Sequence, residues 1–266
     1  MDAVAHPSPR DPRIVLFLEY DGARFSGSQV QRTGIRTVQG ELETALKALT
    51  GQQLRVRMAS RTDAGAHARK QVASFEPVSV VPLETYESAL NYHLPNDVTV
   101  AEAVCVEGLD VNRDAVSRTY RYTILNRCNP SALLRDRVAL VREPLDHLAM
   151  ANAAKALRGW MDVRPFTGPL PDGRNSVRRF DRSEISRDGD LVNIDLEASG
   201  FLPRQIRRTS AALARVGAGS MSVDEFHALA KEGEPGAAVW SLPASGLCLM
   251  DVTYSEFPNR SETRGT

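Results

Sequence analysis

Residues 177–197 read as two strands folded back on each other, with Arg187-Asp188-Gly189-Asp190 as the turn. A return of this kind commits at least part of the sheet to antiparallel pairing. Around it the chain alternates strand and helix patterns. Residues 13–20, RIVLFLEY, are apolar and β-branched enough for a buried strand. Thr37 is placed to N-cap a helix over 38–49, with Val38, Leu42, Ala45, Leu46 and Leu49 on one face. Leu54, Val56 and Met58 alternate with Arg55 and Arg57, which predicts a half-buried strand over 53–58. Strands follow over 70–76 and 98–106, with a helix from Pro82 through Leu94 between them. The second half repeats this grammar. A strand spans 117–126, a helix runs from Asp146 to Leu157 and stops at Gly159, and Pro203 opens a helix to Val216. Ser222 with Glu225 forms a capping box, and residues 246–254 finish as a strand. Hairpins among alternating elements favour α+β with antiparallel sheets over a doubly wound parallel sheet. The similar order of the halves predicts domains at 13–112 and 113–256, with tails at 1–12 and 257–266.

Composition narrows the classes. The chain has 266 residues and is 42 % apolar, which is enough for a sizeable core and argues against disorder. No apolar run approaches the roughly 20 residues of a transmembrane helix. The stretch before Arg13 is polar and lacks an apolar signal core. Cys105, Cys128 and Cys248 lie far apart with no C-x-x-C, so they read as reduced thiols of a cytoplasmic protein. The five histidines form no H-E-x-x-H, and neither dinucleotide nor NTP glycine loops occur. A site without metal or cofactor is the expectation.

The formal net charge is zero, with 33 basic and 33 acidic residues. That total hides unlike segments. Residues 51–75 hold Arg55, Arg57, Arg61, Arg69 and Lys70 against Asp63 alone. Residues 201–220 hold Arg204, Arg207, Arg208 and Arg215 with no acid, whereas 84–114 carry seven acids against Arg113. All but four of the 33 cations are Arg, whose planar fork suits phosphate and base recognition, although genomic base composition also shifts this ratio. The placement predicts a basic cleft on a neutral or acidic body.

One loop carries chemistry. Ser60-Arg61-Thr62-Asp63-Ala64-Gly65-Ala66-His67-Ala68 sits between two expected strands and inside the first basic segment. An Asp-x-Gly turn is common in any hairpin. Here small residues allow close backbone approach, and an aspartate among cations can act as nucleophile or base. The stretch SRTDAGAHA, followed by QVASF, resembles the signature loop of the tRNA pseudouridine synthase A family, usually GRTDAGVHA. Further matches fall in order along residues 13 to 254. They include Tyr20-Asp21-Gly22, Phe25-x-Gly27-x-Gln29, Thr37-Val38-Gln39, Ala89-Leu90-Asn91 with Leu94-Pro95, and Tyr120-Arg121-Tyr122. Gly200-Phe201-Leu202 with Ile206-Arg207, and Leu242-Pro243-Ala244 with Gly246-Leu247, complete the series.

The resemblance implies a homodimer without cofactor or metal that isomerises uridine to pseudouridine in the anticodon arm of tRNA. It implies two similar α/β halves sharing a mainly antiparallel sheet. By motif position, Asp63 would be the catalytic aspartate, Arg61 the loop arginine beside a flipped nucleotide, Tyr120 the active-site tyrosine and Arg207 the partner of the aspartate. Thr62, His67, Gln29, Arg24, Asn91 and Arg208, in or beside the matching motifs, are the candidate substrate-binding residues. Three positions depart from the family pattern: Ser28 replaces a tryptophan, Ser60 a glycine, and Asn112 an arginine. They spare the four candidate catalytic positions. They leave open another RNA or a free uridine nucleotide as substrate, or a catalytically silent RNA-binding relative.

Overall fold

In the computed structural model, residues 12–32, 34–78 and 81–255 are described. Their strands form one sheet. In chain order the elements are β1 Pro12–Tyr20, α1 Val38–Thr50, β2 Arg57–Met58, β3 His67–Phe75, α2 Thr85–His93, β4 Val98–Glu107 and β5 Ala115–Asn126. Then come β6 Ala139–Val141, α3 His147–Ala154, β7 Gly159–Asp162, β8 Val177–Asp188, β9 Leu191–Ala198, α4 Gln205–Gly217, α5 Val223–Glu232 and β10 Leu247–Tyr254. The strand order is β4-β1-β3-β10-β5-β9-β8-β7, with β2 on β3 and β6 on β5. All pairings are antiparallel except β10 with β3 and β5 with β6. The α+β class and the mainly antiparallel sheet expected from the sequence are what the chain adopts.

The place of β10 matters most for function. The C-terminal strand lies between β3 and β5, pairing Cys248 with His67 and Leu249 with Tyr120. It therefore joins the strand that follows the candidate loop to the strand that carries Tyr120. The expected division near residue 112 falls in the turn between β4 and β5, yet the sheet runs unbroken across it. Residues 1–11 and 256–266 of the expected tails lie outside the described residues, and Pro12 opens β1.

Local chemistry explains most boundaries. Thr37 accepts from the Gly40 amide and starts α1, whose buried Val38, Leu42 and Leu46 are fully shielded; each contributes roughly 1.5–3 kcal/mol of burial. Asp146 caps α3 through the Leu148 and Ala149 amides, and Ser222 with Glu225 forms the expected capping box of α5. Four expectations need correction. The strand over 53–58 shrinks to Arg57–Met58, because α1 takes the Val56 backbone: Glu43 accepts its amide and Gln39 donates to its carbonyl. β3 begins at His67 rather than residue 70, since β10 pairs with His67 and Ala68. α2 and α4 start two or three residues after their prolines. Pro82 lies in a turn closed by the Thr85 amide, and Arg204 at the N-cap of α4 takes the left-handed φ of 60°. α3 ends at Ala154 and continues only as a 3-10 turn to Leu157. The short strands β6 and β7 carry too few residues to show a two-residue period, and the sequence reading had neither.

Candidate active site

The loop before β3 is held by the side chains of Gln71 on β3, Ser28 in the segment before α1 and Tyr20 on β1. Gln71 takes both backbone groups of Ser60, accepting the amide at 3.2 Å and donating to the carbonyl at 2.7 Å. Ser28 brackets Thr62: its Oγ accepts the Thr62 amide at 2.9 Å and its own amide donates to the Thr62 carbonyl at 3.2 Å. The Tyr20 hydroxyl meets Thr62 Oγ1 at 2.8 Å. A turn then closes from the Ala66 amide to the Asp63 carbonyl at 3.1 Å, with Gly65 at φ +82° in the position a type II turn keeps for glycine. Gly22 backs this turn closely enough that a Cβ there would lie 1.8 Å from the Ala66 carbonyl oxygen. Asp63 therefore projects from a backbone fixed on both sides.

Its carboxylate meets Arg207. Nη1 of Arg207, in the first turn of α4, donates to Asp63 Oδ2 at 3.0 Å, while Nε donates to the Leu242 carbonyl at 2.8 Å. The second bond fixes the guanidinium from behind, so the pair aims the carboxylate. Both side chains keep 21–29 % exposure, so the Coulombic contribution to stability is screened by solvent. Tyr120, on β5, is buried with its edge on the same cleft. Its hydroxyl bonds Ser60 Oγ at 2.8 Å, and its ring meets Phe201 edge-to-face at 5.3 Å. Burial pushes the phenol well above its ordinary value, with neighbouring Tyr20 and Asp63 acting the same way. At neutral pH the phenol is protonated, and its hydroxyl is held by the Ser60 hydroxyl.

These groups open on a cleft of about 1180 Å³ spanning both halves of the sheet. Nine arginines line it (Arg55, Arg57, Arg61, Arg113, Arg118, Arg174, Arg178, Arg204 and Arg207) against two acids, Asp63 and Asp110. Arg61, Arg174, Arg178 and Arg204 make no ion pair with any described residue. Burial and the nearby Arg174 and Arg118 pull the Arg178 guanidinium below its ordinary pKa. A surplus of unpaired cations in one concavity suits a polyanion. The neutral chain thus concentrates its positive charge where the candidate catalytic carboxylate stands.

Of the ten residues singled out, Asp63, Arg61, Tyr120, Arg207, Thr62 and Gln29 line this cleft. The other four do not. Asn91 clamps α2 to β4 through both backbone groups of Val100. Arg208 donates to the Thr167 and Ala238 carbonyls. His67 accepts from the Gly22 amide and bonds the Asp136 carbonyl through Nε2. Arg24 is exposed in the 3-10 turn 22–24, away from the lining. The three family departures meet at the loop. Ser28 and Ser60 hold it as described, and Asn112 Nδ2 donates to the Ala59 carbonyl at 2.9 Å.

Four contributors escaped the sequence reading. Arg118 is buried and donates to the carbonyls of Ala59, Asn112, Ala115 and Ser199. A signal existed: by the two-residue period of a strand it shares the face of Tyr120. Arg174 and Arg178 belong to a third basic run, with Arg179 and Arg182, that counting over 174–182 would have shown. Gln71 lies in QVASF and carried no composition signal. Among the described residues no cluster of His, Cys, Asp or Glu could hold a metal ion, and no helix is long and apolar enough to cross a membrane.

The phenols make a prediction. Burial raises Tyr20 to about 12, and pushes Tyr120, Tyr122 and Tyr254 upward as well. A group whose folded value is raised stabilises the fold fully below its unfolded value and loses that contribution as pH rises toward the folded one. The melting temperature should therefore fall steeply above about pH 10, the ordinary phenol value, in step with phenolate absorbance. A level melting temperature through that rise would contradict the burial argument.

An aimed carboxylate, a protonated phenol and a cation-lined groove define an enzyme-like site for a phosphate-bearing substrate. The comparisons make the class specific. A family described as tRNA pseudouridine synthase matches residues 16–112 and 153–255. A protein called tRNA pseudouridine synthase A from Geotalea uraniireducens (strain Rf4) is 36% identical over 91% of this chain and 99% of its own. Proteins with the same name from Caulobacter sp. (strain K31) and Neisseria meningitidis serogroup C (strain 053442) are 39% and 35% identical, over 91% and 92% of this chain and 98% and 92% of theirs. The likeness therefore runs nearly the full length on both sides. This chain belongs to the tRNA pseudouridine synthase family.

Proposed function

We propose that the protein isomerises uridine to pseudouridine in the anticodon stem-loop of tRNA, with Asp63 as the catalytic nucleophile or base. The observation that carries this reading is the Asp63–Arg207 pair, 3.0 Å apart, opening on a cleft lined by nine arginines and two acids. The names of the full-length relatives support tRNA as the substrate class. The reaction cuts the N1–C1′ bond, turns the uracil and joins C5 to C1′, with no net redox change. A carboxylate can attack the sugar or base, or take a sugar proton. Tyr120 offers a protonated hydroxyl at the cleft for proton handling at C5. The target base must leave its stack at a cost of a few kcal/mol, and exposed Arg61, next but one to Asp63, is placed to fill the vacancy. The same reading includes a cytoplasmic homodimer whose subunit divides into halves 13–112 and 113–256.

Bulk tRNA carrying tritium at uracil C5 tests it, because C5 gains a carbon bond and releases its label to water. Release by the wild-type protein is the expected result, and its absence would sink the proposal. A parallel arm with free UMP separates an RNA enzyme from a nucleotide enzyme. Binding should also fall with salt. Four phosphates neutralised by the unpaired Arg61, Arg174, Arg178 and Arg204 give a slope of log K against log salt of about −3. A flat titration would argue for a small uncharged ligand.

A further inference from the structure

Trp160 is 70% exposed, an unusual position for the largest apolar side chain. It lies on β7, the last strand of the sheet, and lines the arginine cleft with Val177 and Arg178 of β8 and Arg174 of the loop before it. Its cross-strand neighbour is Arg179. That guanidinium is held by Asp181 at 2.8 and 3.1 Å, so it is committed away from the indole. The other tryptophan, Trp240, differs: Arg215 covers its ring at 4.2 Å, and it does not line the cleft. One tryptophan is thus capped by the protein and the other is left bare among cations.

Resting on the RNA reading above, we propose that Trp160 is a stacking platform for an unpaired base of the bound RNA, flanked by phosphate contacts from Arg174 and Arg178. A flat π-face beside unpaired guanidinium groups is the usual way a protein holds single-stranded RNA without reading its sequence. The base it holds is not the reacting one. Tyr120 lies on β5 and Trp160 on β7, with β9 and β8 between. Three strand spacings put them at least about 14 Å apart across the sheet. Between them Tyr120, Phe201 and Phe180 stack edge-to-face in a row, at 5.3 and 5.8 Å, and Phe180 pairs with Gly159 next to Trp160. This row packs the cleft wall as far as β8; by strand alternation Trp160 leaves β7 on the face opposite Phe180, at the outer rim of the cleft. The platform therefore fixes a second nucleotide and so sets the angle at which the RNA enters.

Trp160→Ala and Trp160→Phe in the full-length protein test this. One base stack is worth about 1–3 kcal/mol, so Trp160→Ala should weaken tRNA binding by roughly 5- to 150-fold. The loss should fall on KM more than on kcat. Trp160→Phe, which keeps a π-face, should recover most of it. The salt slope should stay as in wild type for Trp160→Ala and become shallower by about one for Arg178→Ala, because only the arginine releases a counterion. Addition of tRNA should quench a fluorescence component that Trp160→Phe lacks. Wild-type affinity in Trp160→Ala overturns the inference. So does an equal loss in both variants, or a change of oligomeric state at unchanged tRNA affinity, which would mark a protein contact. A wild type that turns over tRNA while these variants behave alike refutes the platform alone. A wild type that neither binds nor turns over tRNA refutes the functional reading and the platform with it.

Discussion

Asp63→Asn is expected to abolish tritium release from tRNA, lowering kcat by at least ~1000-fold, about 4 kcal/mol of transition-state stabilisation. The substitution keeps size and shape. The amide oxygen can still accept from Arg207, which now sits 3.0 Å from Oδ2. The backbone around the residue is fixed by Gln71, Ser28 and the turn at Gly65, so the loop should keep its place. What is lost is the carboxylate's nucleophilicity and basicity. Binding should not suffer and should tighten somewhat, because one of the two acids facing nine arginines is gone. A fall in kcat with an unchanged or lower Kd would separate chemistry from recognition. Residual activity within tenfold of wild type would remove Asp63 from the chemistry. Arg207→Met should cost less than Asp63→Asn, and the double variant no more than Asp63→Asn alone, if the arginine acts only by aiming the carboxylate.

The candidate site was more legible than the boundaries of the fold, and the residues explain why. Asp63, Arg61 and Thr62 stand in one contiguous loop, so a short motif carries them together. Tyr120 and Arg207 lie 57 and 144 positions further on, and only the resemblance connected them to that loop. Neither a lone strand tyrosine nor a helix arginine declares its partner. Asn91 and Arg208 show a different pattern. Asn91 lies in a matching motif and Arg208 beside one, and their side chains bond across α2–β4 and to the Thr167 loop. A motif records a residue's role in the fold as readily as a role in binding. Strand 53–58 failed because its alternation was real but its backbone partners came from α1 instead of a neighbouring strand. Alternation predicts which side chains share a face and says nothing about where the amides are bonded. The net charge misled only as a sum. Summed over the cleft lining, the same sequence is strongly cationic.

Ser28, Ser60 and Asn112 make a related point. As a string they weaken the family match. In the folded chain each makes a hydrogen bond in or next to the loop that carries Asp63: Ser28 to the Thr62 amide, Ser60 to the Tyr120 hydroxyl, Asn112 to the Ala59 carbonyl. The departures are therefore spatially coupled. All three make hydrogen bonds around one backbone segment, which leaves the catalytic geometry supported while its surroundings differ.

The deepest support of that loop is Arg118, and its removal is the second large effect. Arg118 is 8% exposed. Burial lowers its pKa below the ordinary guanidinium value, yet arginine stays charged in proteins. Its two terminal nitrogens donate to four carbonyls: Nη1 to Ala115 and Ser199, each at 3.0 Å, and Nη2 to Ala59, at 3.1 Å, and Asn112. Ala59 precedes the candidate loop, Ser199 precedes the Phe201 wall, and Asn112 lies in the turn between β4 and β5. One side chain thus ties both walls of the cleft to the strand that carries Tyr120. Arg118→Met fills most of the volume and leaves these carbonyls short of a donor, although Asn112 still serves Ala59. Charge-assisted bonds are worth about 1.5–3 kcal/mol each and do not add fully, so a loss of about 3–4 kcal/mol is expected. At this chain length that lowers the melting temperature by about 8–12 °C. Arg118→Lys should lose most of the same stability, because one ammonium keeps the charge and cannot span four carbonyls. A melting temperature restored by lysine would show that charge alone matters there. Turnover in either variant, measured below its own transition, should fall by about 100-fold, the cost of letting a reacting group drift by about 1 Å.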